Sequence, residues 1–476
     1  MLEELKKIKI NNFVFFLLSI VALLFLVENF GYTNLGFAED SDSRAIVESF
    51  YSSDNDYQPS RVLGVPIYDE ISKYIYSLGG LKALNLYSFS LWLLSIVSIF
   101  LIFSFLDLKH KLFFAAVFGF HPLIVINSTI PMETMQSLFL VVVFLYLSLR
   151  YYFEKVNIFL YLSVLFAILA SLTRPDNIFF VFTLFLFFII KKRVDKNLYI
   201  GAIFFCSFVF LTYVLRYDFL DSFSEVSLFP VIDSKHLARF FLSPMYLVGI
   251  FALPLIILFK QFNTSYLFTE NDHNDYREPL KYLFIVATLV YIVRWAILPD
   301  EIEYLINYFL ILFIFSVVIF NYKFLILVFL SIYSQYFFVP YFVEKDIRFL
   351  NNGIENNYSF NLGIARGILE QSNIIRNSNQ EIVRKEFIDK LKFIPPLETN
   401  LSTVEYPPYL NALILNKQNI ITGPVGLSQI FKRSRDMFRT KHIYLCSTNI
   451  IPNRGWRSFQ KTKSIDRSEP TLCKRI

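Results

Sequence analysis

Apolar residues along this chain come in long runs, not in alternation and not on one face of a helix. Stretches of roughly 20 residues almost free of charge cover 9–29, 84–106, 111–129, 133–152, 156–173, 176–191, 197–216, 238–260, 280–298, 302–320 and 322–339. A helix of that length crosses the ~30 Å hydrocarbon core of a bilayer and satisfies its own backbone there. The pattern therefore predicts an all-α polytopic membrane protein with about 11 transmembrane helices. Two spans, 156–173 and 176–191, are short and are split by Arg174-Pro175-Asp176, which predicts a broken or re-entrant hairpin. His121-Pro122 inside 111–129 predicts a kink or a packing element. The first run follows Lys6, Lys7 and Lys9 with no small-residue cleavage site at the usual distance, so it reads as an uncleaved helix.

The runs stop near Val339. Helical spacing near 362–376 and 379–392, then Pro395, Pro396, Pro407 and Pro408, predict a transmembrane domain over 1–340 and a small mixed C-terminal domain over 341–476. The longest gap between spans is 30–83. Within it, 41–51 and 67–78 carry apolar residues at helical spacing with charges between, the mark of short interfacial helices, the first capped by Ser41 or Asp42.

Basic residues then sort the loops. Lys6, Lys7 and Lys9, Lys109 and Lys111, Arg150 and Lys155, the cluster Lys191-Lys192-Arg193 with Lys196, Lys260, Arg277 and Lys281, and Lys323 all fall in alternate loops. Cytoplasmic loops are enriched in Lys and Arg, which puts this set inside and the gap 30–83, the turns at 129–133 and 173–176, the loop 217–237 and the turn 298–303 outside. With 11 spans the tail is extracytoplasmic as well; long domains translocate largely regardless of charge. The outer set holds Glu39, Asp40, Asp42 and Arg44; Glu133; Arg174 and Asp176; Asp233 to Arg239; and Asp300, Glu301 and Glu303. Ionisable groups at a membrane are costly and mark sites.

Composition agrees with lipid as the solvent. The chain is 55% hydrophobic and 18% charged, where soluble domains carry about 25% charged residues. The formal charge of +6 is uneven, with a slightly acidic membrane part and a basic tail suited to anionic headgroups or simply to water. Cys206 lies in an apolar run. Cys446 and Cys473 lie in the tail and could pair in an oxidising compartment or remain two free thiols. No pair among the five His has metal-ligand spacing. No Gly-rich phosphate loop, dinucleotide fingerprint or Gly-x-Ser-x-Gly elbow occurs, which argues against a soluble nucleotide-binding domain and against a hydrolase. No nucleic-acid partner is expected. Span centres nearly free of charge and the lack of an internal repeat argue against an ion-coupled transporter.

The chemistry left is that of acids and guanidinium groups. Three acids in Glu39 to Asp42 can take a proton from a hydroxyl, or Asp40 and Asp42 can ligate a hard divalent cation, Mg or Mn. Arg174 and Arg294 can hold a phosphate by forked hydrogen bonds. Acid on one side and guanidinium on the other is the arrangement required to displace a phosphate from an activated sugar.

The order of a short N-terminus, one helix, a long outer loop opening with acids, and a helical array resembles the GT-C glycosyltransferases, such as the protein O-mannosyltransferases and the aminoarabinose transferase of lipid A. The segment Ser60-Arg-Val-Leu-Gly-Val-Pro-Ile-Tyr-Asp-Glu70 looks like part of that family's first loop. Ala170-Ser-Leu-Thr-Arg-Pro-Asp176 looks like a turn of its bacterial members, and Leu298-Pro-Asp-Glu-Ile-Glu-Tyr-Leu305 like their late turn. The resemblance covers about residues 8–340. It implies a GT-C-like arrangement of the helices and a transferase that takes sugar from a polyprenyl-phosphate donor to a glycan, lipid or protein acceptor outside the membrane. Asp40 would match the catalytic acid, with Glu39 or Asp42 as its partner or a metal ligand. Arg174, and with it Lys235, His236 and Arg239, would face the donor phosphate. Glu301 and Tyr304 would line the pocket, to which Arg61, Glu133 and Asp176 are also assigned. The sequence offers three acids where one base is needed. The competing readings are an envelope polysaccharide polymerase or ligase, which would carry its key residues in a large late loop, and a lipid or sugar transporter.

Overall fold

The computed structural model describes residues 65–108, 111–191, 195–216, 274–297, 305–319 and 322–346, the strands at 358–366, 399–403, 419–421, 442–448 and 471–475, and residues 26, 27, 30, 46, 240 and 249. The chain divides into two compact units, one made of Met1–Thr33 and Val62–Ser372, the other of Asn34–Arg61 and Asn373–Ile476.

The first unit is a helical array. Helix α1, Pro66–Phe105, opens with proline in its first turn, where a missing N–H costs nothing. It kinks at Gly79-Gly80. Gly80 has φ 62° and ψ −151°, a backbone state only glycine takes without strain. The stretch before the kink coincides with the interfacial helix expected over 67–78. It buries Tyr68, Asp69 and Ser72 and exposes Tyr74 and Leu78. After the kink, Leu81 to Phe105 is about 37 Å of helix, enough to cross a bilayer.

The run expected at 111–129 is two helices, α2 (Lys111–Gly119) and α3 (Pro122–Asn127). Pro122 lacks the N–H that would continue α2. The carbonyls freed at the break are taken up by aromatic side chains. Trp92 Nε1 donates to the Gly119 carbonyl at 2.8 Å, the Tyr333 hydroxyl to that of Val117 at 2.8 Å, and the Tyr336 hydroxyl to that of Phe120 at 2.7 Å. His121 caps α3, its Nδ1 accepting from the Leu123 N–H at 3.2 Å, and its ring lies 4.2 Å from that of Phe309. Buried irregular backbone persists only when protein groups satisfy it, as they do here.

Helix α4, Glu133–Glu154, ends at Lys155 in a left-handed cap. Helices α5 (Asn157–Thr173) and α6 (Asn177–Ile190) are separated at Arg174, which is extended (φ −147°, ψ 120°) because Pro175 disfavours the helical state before it. Then come α7 (Lys196–Arg216), α8 (Asn274–Ile297), α9 (Leu305–Ile319) and α10 (Tyr322–Ser334). α4 packs against both α1 and α5, α5 against α7, and α8 against α6 and α9. The core is aromatic, with Phe118 stacked on Phe309 at 5.7 Å and Phe313 5.4 Å from Phe118.

Among the described residues three helices are long and apolar enough to cross a membrane: Pro66–Phe105, Thr134–Glu154 and Lys196–Val214. α7 exposes Ile200, Ile203, Phe204, Phe208 and Leu211. So continuous an apolar face is stable against lipid, not water. The protein is a helical membrane protein.

The run 322–339 ends as helix at Ser334 and continues as strand β1, Phe338–Asp346, antiparallel to β2, Tyr358–Arg366. The helical patch expected from 362 is thus strand up to Arg366. Tyr358, Phe360, Leu362 and Ile364 alternate with smaller or polar residues, a period of two that pairs with β1. The rest of that patch, and the one at 379–392, lie outside the described residues. In the second unit, β3 (Thr399–Thr403), β4 (Asn419–Ile421), β5 (His442–Thr448) and β6 (Thr471–Arg475) form one sheet in the order β4-β3-β5-β6. The first two pairings are parallel and the last is antiparallel.

Candidate functional site

The helices of the first unit carry a separate group of charged residues at each end. At one end, the Arg150 guanidinium pairs with Glu154 at 2.8 Å and stacks 4.1 Å from the Phe159 ring. Beside it the Tyr151 hydroxyl donates to Asp195 at 2.5 Å, and the Lys191 ammonium sits 3.3 Å from the Tyr282 ring. These are the C-terminal ends of α4 and α6 and the N-terminal ends of α5, α7 and α8. Basic groups anchored on aromatic rings suit an interface with lipid headgroups.

The opposite ends of α4, α5, α6 and α9 meet in a buried polar cluster. At its centre Arg174 Nε lies 3.2 Å from Asp176 Oδ1 and 3.9 Å from Glu133 Oε1. The Arg174 and Glu133 side chains are 4% and 1% exposed, and that of Asp176 is 19% exposed, so the cluster reaches the surface through Asp176. Two carboxylates thus flank one guanidinium. The side chain of Tyr68, on the first segment of α1, lies within electrostatic reach of Glu133 and Tyr87.

Two hydrogen-bonded chains hold the Arg174 turn in place. In one, the Tyr87 hydroxyl donates to Gln136 at 2.7 Å and the Gln136 amide donates to Thr173 at 2.9 Å, tying α1 to α4 and α4 to the end of α5. In the other, Asn307 of α9 donates to Asn177 at 2.7 Å and to Ser137 at 3.0 Å. Asn177 donates in turn to Ser137 and to the Ala170 carbonyl, both at 2.8 Å. The Tyr213 hydroxyl of α7 closes on the Ser171 carbonyl at 3.1 Å. The hydroxyls of Thr134 and Ser171 are buried with no hydrogen-bond partner among the described residues. A buried polar atom left so costs about 1–3 kcal/mol.

The structure thus brings Glu133, Arg174 and Asp176 together from separate runs of sequence. Arg294 lies on α8, with its side chain outside the described residues. Glu39, Asp40, Asp42, Arg61, Lys235, His236, Arg239, Glu301 and Tyr304 lie outside them as well. Among the described residues no group of three His, Cys, Asp or Glu is placed to hold a metal ion. The amide network of Gln136, Asn177 and Asn307 escaped the sequence reading. Its one signal is an amide inside an apolar run, as at Asn307 within 302–320. Asp69, among the charges of the segment 67–78, is buried as well.

Comparison with models of known protein families and with curated proteins finds no match to this chain.

Proposed function

We propose that the protein is a membrane glycosyltransferase that moves a sugar from a polyprenyl-phosphate donor to an extracytoplasmic acceptor. The observation that carries this reading is the buried Glu133–Arg174–Asp176 cluster, set at the helix ends opposite the basic, aromatic-anchored ends. Positive-inside sorting places that cluster's end outside. The reading takes the chain as about 11 spans in a GT-C-like arrangement with residues 341–476 outside the membrane.

In the proposed reaction the carboxylate of Asp40 takes the proton of an acceptor hydroxyl or amine. The freed lone pair attacks the anomeric carbon, and the bond from that carbon to the phosphate oxygen breaks. The electron pair leaves with the lipid phosphate, whose charge is met by Arg174 and the basic residues Lys235, His236, Arg239 and Arg294. A guanidinium fits this task because its donors match phosphate oxygens in pairs. Glu133 and Asp176 hold the guanidinium in one orientation, and Arg61, Glu301 and Tyr304 line the path of donor or acceptor. The unpartnered hydroxyls of Thr134 and Ser171 beside this cluster favour a bound polar group. Asp40 and Asp42, which would hold a divalent cation, lie outside the described residues.

The test is Asp40→Asn in cells, with insertion and abundance checked first. Envelope glycans are then compared by mass spectrometry with those of the parent and of the deletion strain. The variant is expected to reproduce the deletion profile. A parental profile, where the deletion differs, removes Asp40 as the base.

A further inference from the structure

Two of the chain's three cysteines, Cys446 and Cys473, are far apart in sequence and lie in the second unit. Cys446 is on β5, an inner strand of the four-stranded sheet, and Cys473 is on β6, the strand at its edge. The two strands pair antiparallel in the register Leu445↔Lys474, Cys446↔Cys473, Ser447↔Leu472, so the two cysteines are direct cross-strand partners. Opposite residues in an antiparallel ladder share a face of the sheet. Their Cα atoms stand about 5.5 Å apart in a hydrogen-bonded pair and about 4.5 Å in a non-bonded one. Both spacings fall inside the ~4.4–6.8 Å that a disulfide spans. A shift of one residue in register would put the cysteines on opposite faces.

We infer that Cys446 and Cys473 form a disulfide that fastens the edge strand β6 to β5. This inference rests on one premise of the proposed function, the extracytoplasmic position of residues 341–476, since disulfides persist in oxidising compartments. The oxidant is a disulfide-bearing thiol oxidoreductase of the cell envelope. The thiolate of Cys446 attacks one sulfur of that disulfide, forming a mixed disulfide and releasing the other sulfur as a thiolate. The thiolate of Cys473 then attacks the Cys446 sulfur, and the second oxidant sulfur leaves. The oxidant ends as a dithiol carrying the two protons, and the two cysteines have lost two electrons. The bond covalently closes the loop between β5 and β6 and keeps an edge strand from pairing with another molecule.

The experiment counts thiols. Cells are quenched with N-ethylmaleimide, the full-length protein is purified without reductant, and its intact mass is measured with and without prior reduction. Alkylation at one position, Cys206, rising to three after reduction, is the expected result. Trypsin should release His442–Arg454 linked to Ser468–Lys474, lighter than the two peptides together by two hydrogens. Cys446→Ser and Cys473→Ser should each show two alkylated positions without reduction. Three alkylated cysteines in the parent overturn the disulfide. In that case purified protein is exposed to oxidised glutathione. Rapid pairing then means the register is right and the tail lies in a reducing compartment, which takes the side assignment down with it. Failure to pair means the register is wrong, and the transferase reading stands untouched.

Discussion

Arg174 stands between two carboxylates, and its replacement separates charge balance from packing. Removing one partner of a buried ion pair costs about 3–5 kcal/mol, because the other charge stays buried without compensation. Arg174→Ala leaves both Glu133 and Asp176, so a loss of that order is expected in the thermal midpoint of the detergent-solubilised protein. Adding Glu133→Gln should recover part of it, since one of the two carboxylates that faced the guanidinium is then neutral; a double variant less stable than Arg174→Ala alone would show that the pairing does not hold the turn. The amide pair makes a second case. Asn307→Leu deletes two hydrogen bonds and leaves the Asn177 carbonyl short of a donor, at about 1–2 kcal/mol in a membrane protein. Asn307→Asp should be worse, because a carboxylate cannot donate to that carbonyl and buries a charge as well. The same thermal measurement ranks the two, and equal loss would mean the network is not as described. Glu133, Arg174 and Asp176 were legible in the sequence because charge is rare at the ends of apolar runs. Asn177 and Asn307 were not, because an amide carries no charge to betray it and its partners are 130 residues away.

At the scale of elements, proline and glycine mark where the helices break. Pro175 and Pro122 stop α5 and α2 where the sequence says they should, although the run 111–129 hid a complete interruption and not a bend. The difference lies in residues distant along the chain: Trp92, Tyr333 and Tyr336 supply donors for the carbonyls that an unbroken helix would have paired. Periodicity within one run cannot reveal such donors. Trp92→Phe keeps most of the buried ring but leaves the Gly119 carbonyl without its indole donor, so a loss of about 1–2 kcal/mol is expected. Trp92→Leu should lose more, because it removes aromatic packing against Phe89 and Phe120 as well. The kink of α1 rests on Gly80, around which a Cβ would meet nothing within 4 Å. The cost of Gly80→Ala is therefore conformational alone, roughly 1–3 kcal/mol. It falls on the angle between the interfacial segment and the span, so Ser72, buried in the parent, becomes more accessible. A Ser72→Cys reporter that labels no faster after Gly80→Ala would place the rigidity of the kink elsewhere.

For the whole molecule, two patterns of different origin give the same polarity. Apolar runs set the helices, and the described contacts then put Arg150 and Lys191, with Glu154 and Asp195, at one end and Glu133, Arg174 and Asp176 at the other. An arrangement of helices by packing alone has no reason to sort charge this way. A membrane does, because Lys and Arg are retained on the cytoplasmic face, and the proposed lipid-phosphate site would open on the other. Sidedness is therefore the property on which the proposed function and the disulfide both turn. It can be measured without any assay of activity. On a background with Cys206, Cys446 and Cys473 changed to Ser, single cysteines are placed at Lys155, which is exposed at the basic end, and at Glu301, which precedes α9 in the sequence. A membrane-impermeant maleimide applied to intact cells should label the cysteine at 301 and spare that at 155; after permeabilisation both should react. Labelling of 155 alone in intact cells would invert the molecule, put Arg174 among cytoplasmic substrates and remove the reason for an external lipid-phosphate donor. The buried cluster would then serve only to join α4, α5 and α6, where an ion pair is worth less than apolar residues of the same volume.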